Sequence, residues 1–136
     1  MAGEAAISVW ELKGGLGAPA AARRAVLDAL GGIVDDDLLA VVVLLTSEIV
    51  ANAVVRSGAG AVLTLEVNVE TIVVTVADER PDAPAVNGLA HALIEDHGLA
   101  WGAHVHQSGK AVWFAVPLLA ESSGVGDGGG AGTVHA

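Results

Sequence analysis

The sequence predicts a two-layer α/β sandwich, in which hairpin-joined strands form a sheet and helices cover it from one side. Three observations carry this. The elements legible along the chain run strand, helix, helix, hairpin, loop, helix, hairpin, without the regular βαβ alternation of a doubly wound sheet. The 136 residues amount to one domain. Hydrophobic residues make up 53% of the chain and aromatics only 3%, so the core has to be assembled from Val, Leu, Ile and Ala.

Residues 5–12 alternate around Ile7 and Val9 and stop at Gly14-Gly15-Leu16-Gly17, which reads as a strand followed by a turn. Pro19 can open a helix, and the alanine-rich residues 20–30 continue it with Arg23, Arg24 and Asp28 exposed until Gly31-Gly32 ends it. Asp35, Asp36 and Asp37 then place acid where the next helix has free N–H groups and the positive end of its dipole. That second helix runs over 36–56, and its first half is apolar all round, so it must be covered on more than one side. Residues 61–69 and 71–77 read as a hairpin that turns at 68–71. A connection rich in Pro, Gly and Asp over 78–88 leads to a short helix at 89–96. Two last strands, 101–106 and 110–116, join at Gln107-Ser108-Gly109. Trp10, Trp101 and Trp113 lie in or beside strands and are expected between sheet and helices. Residues 1–119 make the domain, and the Gly-rich residues 120–136 a flexible tail.

Six Lys+Arg stand against 16 Asp+Glu, a formal charge of −10. That argues against a nucleic-acid partner, because counterion release needs a cationic surface. Without cysteine there is no disulfide framework, thiolate metal site or cysteine nucleophile, and the default compartment is cytoplasmic. The longest apolar run, 38–45, is far below the roughly 18 residues of a membrane span. No basic segment followed by a compact apolar stretch marks the first thirty residues as a secretory signal. The chain also lacks a G-x-S-x-G elbow, a Walker-type GK[ST] loop and an H-E-x-x-H helix.

Glu48, Asn52 and Arg56 stand at i, i+4 and i+8 on the second helix, so at about 100° per residue they form one polar stripe. The stripe is either the helix's solvent face or a carboxylate and an amide aimed into a cleft. In the second case the pair suits a hydrated magnesium ion and the activation of a water or hydroxyl. Asp78 follows the strand that ends at Ala77 and opens the irregular connection. It either caps a turn or accepts a hydrogen bond from the exocyclic amine of a base. Lys110 can reach a phosphate or be a solvated turn residue after Gly109. His104 and His106 share a strand face without a third ligand at a recognisable spacing, and His91 and His97 fall on different faces of the third helix.

The stretch Ser47-Glu48-Ile49-Val50-Ala51-Asn52-Ala53-Val54-Val55-Arg56 resembles the N box of the histidine-kinase-like ATPases, the gyrase B, Hsp90, histidine kinase and MutL type. Within that family it is most similar to the small anti-sigma-factor serine kinases and their stand-alone relatives. Val76-Ala77-Asp78-Glu79-Arg80-Pro81 resembles the adenine-binding box. Ser108-Gly109-Lys110-Ala111-Val112-Trp113 resembles the terminal hairpin, and Trp101-Gly102 stands where relatives carry that dipeptide. The likeness covers about residues 5–118.

The resemblance implies a Bergerat-type fold, a mixed, mostly antiparallel sheet of four or five strands covered on one face by three helices, with ATP between the helix layer and a lid. It assigns Asn52 to Mg²⁺ bridging the phosphates, Glu48 to the general base and Asp78 to the adenine amino group. Arg56, Arg80, Gly88 and Lys110 would also face the nucleotide. The implied activity is transfer of phosphate from Mg·ATP to a serine of a protein antagonist, an anti-anti-sigma protein, with a sigma factor as second partner. Relatives often pair through the sheet edge or first strand, and residues 5–12 offer the same route to a homodimer. Three positions depart from the family pattern, one of them Arg56, which stands where relatives often carry a histidine after the N-box Asn and can still face phosphate. Arg80 stands where a glycine lets the backbone approach the base, and the second of two lid glycines is Ala90. The alternative reading is a non-catalytic binding module of the same fold, acting through protein contacts.

Overall fold

The computed structural model describes residues 6–55, 58–79 and 88–118. These form an α+β unit of three helices and five strands: β1 (Ala6–Leu12), α1 (Ala18–Leu30), α2 (Asp36–Val50) with a π-helical turn (Ala51–Val55), β2 (Ala61–Val67), β3 (Thr71–Asp78), α3 (Gly88–Asp96), β4 (Ala100–His106) and β5 (Gly109–Pro117). The expected tail, 120–136, lies outside the described residues.

The strands lie in the order β1-β2-β3-β5-β4, and every neighbouring pair is antiparallel. The expected mixed sheet is corrected by the connections. Two helices separate β1 from β2 and return the chain in the opposite sense. The single helix α3 leaves β3 and β4 running the same way, but β5 is inserted between them, so parallel strands never touch.

Alternation along each strand divides the sheet into two faces. Leu63, Leu65, Ile72, Val74, Val76, Val112, Phe114 and Val116 point to the inner face, where Val26, Leu30, Val42, Leu45, Val50 and Val54 of the helices complete the core. Each such side chain, fully buried, contributes about 1.5–3 kcal/mol relative to exposure. Among the described residues no helix covers the other face, where Ile7 and Val9 are 60% and 58% exposed. Trp10 and Trp101 pack against the core as expected, but Trp113 does not. It sits between the inward-facing Val112 and Phe114 and pairs in register with Gly102 on the outer face. A side-chain carbon on Gly102 would come within 2.7 Å of the Trp113 Nε1, so the glycine makes room for the indole.

The Asp35 carboxylate caps α2, accepting from the Leu38 N–H at 2.8 Å. With the π turn this helix extends over Asp36–Val54, long and apolar enough by composition to cross a membrane, although no uninterrupted run in the sequence is. Here it is the central helix of the core, with Val42, Leu45, Val50 and Val54 fully buried. The widened last turn is a further departure from the sequence reading, which extends one helix over 36–56.

Candidate functional site

Glu48 lies in the last α-helical turn of α2, half-buried between the buried Ser47 and Ile49. The Ser47 hydroxyl accepts a hydrogen bond from Arg23 Nη1 of α1 at 3.2 Å, tying the two helices together one residue before Glu48. Sequence reading took Arg23 only as an exposed cation. Its partner is 24 positions away, and no local signal links them. The residue before Ser47, Thr46, is fully buried and its hydroxyl has no hydrogen-bond partner among the described residues.

Asn52 falls in the π turn, also half-buried. The Ala51 N–H still reaches the Ser47 and Glu48 carbonyls with α-helical dihedrals, so the widening begins after it. In a π turn the hydrogen bonds span i to i+5, so the helix winds more slowly. The α-helical angle that aligned Glu48 with Asn52 therefore does not carry through this turn, and the even stripe expected from spacing is corrected to that extent. Arg56 and Arg80 lie outside the described residues. The π turn packs against α1 and against β3, the strand that ends in Asp78.

Asp78 is the last residue of β3, paired with Ala61 on one side and Lys110 on the other, and not the first residue of a loop. It faces inward, 7% exposed. Lys110, 2% exposed, is directly opposite, and its Nζ lies 2.8 Å from Asp78 Oδ2. Both side chains are 1% exposed. The reading of Lys110 as a solvated turn residue is thus overturned: it falls on the inner register of β5, where its stem packs with the core and its head needs an anion. The glycine before it is required by a separate backbone approach, because a side chain at Gly109 would run into the Asp78 carbonyl.

Gly88 opens α3, and a side chain there would meet no atom of the described residues within 4 Å. Ala90 is different. Its methyl is fully buried in the core, which accounts for a side chain where the resembled pattern has a second glycine. His91 stands edge-on to Trp101, with ring centroids 6.3 Å apart, and its Nε2 is 3.8 Å from Glu95. Among the described residues no three His, Asp or Glu side chains come together as a metal-ion cluster.

A cavity of about 360 Å³ opens at the Asp78 end of β1, β2 and β3, lined by Glu11, Leu12, Gly60, Ala61, Val62, Ala77, Asp78 and Glu79. A larger one of about 580 Å³, lined by Asp35, Asp37, Leu38, Val41, His97, Pro117 and Leu118, lies at the opposite end, where Thr71 pairs with Pro117. The resemblance implies a hollow with Asp78 in its wall, shared with Glu48 and Asn52, and nothing in the sequence points to the second cavity. Asp78 lines the first, and Glu48 and Asn52 line neither.

No protein-family model matches the chain, and no curated protein matches it.

Proposed function

We propose that the chain is a nucleotide-binding regulatory domain of the histidine-kinase-like ATPase type, with a Bergerat-type arrangement of its sandwich, similar to the anti-sigma-factor serine kinases. The observation that carries the reading is the seating of the π turn that holds Asn52 against β3, the strand that ends in Asp78. Single π turns within α-helices occur frequently at functional sites. In this reading Asp78 receives the adenine amine and Asn52 holds Mg²⁺. A lone amide oxygen with a carboxylate one turn away fits that ion, which keeps several waters and takes few protein ligands. When bound, it neutralises charge on the phosphates. Glu48 accepts the proton of a serine hydroxyl on a protein antagonist while the serine oxygen bonds to the γ-phosphorus and ADP leaves. The proposed partners are that antagonist and a sigma factor, the proposed compartment is the cytoplasm, and β1 is the proposed pairing edge of a homodimer.

The test is thermal unfolding with and without Mg·ATP, since a ligand of the native state raises stability by mass action. A rise in Tm is expected, with its magnesium dependence lost in Asn52→Ala. Glu48→Ala is expected to bind but not to transfer phosphate. No shift at millimolar Mg·ATP with the folded chain sinks the nucleotide reading.

A second reading is favoured by one observation, the closed ion pair of Asp78 and Lys110. With that carboxylate already engaged, the same fold can serve as a non-catalytic module that acts through protein contacts. The same melt separates the two readings.

A further inference from the structure

Lysine is almost never fully buried without a partner, and Lys110 is buried as deeply as Val112 on the same strand. Its ammonium reaches Asp78 Oδ2 across a register that pairs the two residues directly. The close approach of Gly109 to the Asp78 carbonyl holds the start of β5 against the end of β3. The hydrogen bond that Nζ donates is of the same kind that an exocyclic amine of a base would donate to the same carboxylate.

Resting on the reading that Asp78 faces the base, we propose that Lys110 sets nucleotide affinity and base preference by acting as an internal competitor for Asp78. With Lys110 in place the carboxylate is satisfied before any nucleotide arrives, and an adenine amine has to displace or share an existing charge-assisted bond. Binding therefore exchanges one hydrogen bond for another and gains little at this position. Without the ammonium the buried carboxylate is penalised in the free protein, and an incoming amine relieves the penalty. The affinity gain is specific to a base that brings an amine. Inosine triphosphate, with a carbonyl oxygen at that position of the ring, brings an acceptor and relieves nothing there.

The experiment is calorimetric titration of the full chain with Mg·ATP and with Mg·ITP, comparing the parent with Lys110→Met and Lys110→Gln. Far-UV circular dichroism and a thermal melt of each protein establish that it is folded. Methionine retains the apolar stem and removes the donor, whereas glutamine retains a neutral donor. Mg·ATP affinity is expected to rise about tenfold or more in Lys110→Met, with Lys110→Gln between it and the parent, and Mg·ITP affinity is expected not to follow. An equal rise for both nucleotides overturns the proposal, since the variants then merely enlarge the site. ATP affinity that is unchanged or lower in the variants, with the parent binding, overturns it and leaves the nucleotide reading standing. No binding of either nucleotide by any of the folded proteins overturns both. Should Lys110→Met fail to fold, Lys110→Gln against the parent decides with the same signs.

Discussion

The two polar regions of the candidate site are built on opposite terms. Asp78 and Lys110 are sealed at the ends of β3 and β5, each side chain 1% exposed and bonded to the other at 2.8 Å. Glu48 and Asn52 are only half-buried, one in the last α turn of α2 and the other where the helix widens. The comparison teaches which polar groups the fold depends on. A charge pair inside the core is part of the architecture, because each member alone would be a costly buried ion. A half-solvated carboxylate keeps much of its hydration and can be changed at little structural cost. Function can thus be probed directly on the helix, whereas on the strands every substitution also tests stability.

The largest effect that would break this contrast is at the sealed pair. Lys110→Ala is expected to cost about 3–5 kcal/mol in denaturant unfolding, and adding Asp78→Ala is expected to recover part of that loss. A single-variant cost below about 1 kcal/mol would mean that the pair behaves as an exposed salt bridge, contrary to its burial. A smaller effect of opposite sign is expected at Thr46, where a buried hydroxyl has no partner among the described residues. Thr46→Val retains the shape and removes the unsatisfied group, so unfolding free energy should rise by about 1 kcal/mol. No gain would show that the hydroxyl is satisfied in solution. Smallest of all, Glu48→Gln is expected to change stability by no more than about 0.5 kcal/mol, and a larger loss in the same unfolding assay would place Glu48 in the framework with Asp78.

The elements were legible because their signals are local. Asp35 announced the start of α2 and does cap it, and Gly31 closes α1 by donating its N–H to the Leu27 carbonyl at 2.9 Å. The extents of β3 and β5 were legible as apolar runs bounded by turn residues, but which of their faces is buried was not. The errors share one cause. The outward Trp113 and the inward Lys110 are each set by what lies opposite, and the bond from Arg23, exposed as expected, to Ser47 joins residues 24 positions apart. In Trp113 the deciding partner is Gly102, across a register that no spacing within one strand reveals.

By itself, then, the amino-acid order determined where the chain turns, which stretches become helix or strand, and that Glu48, Asn52 and Asp78 are the polar groups to examine. Each of these follows from periodicity and capping within a few residues. Only the tertiary structure decided that β5 lies between β3 and β4, and so that Lys110 is set against Asp78. The physical reason is that burial and charge pairing depend on the neighbour across the sheet. For Asp78 and Lys110 that neighbour is 32 residues away along the chain and 2.8 Å away in space.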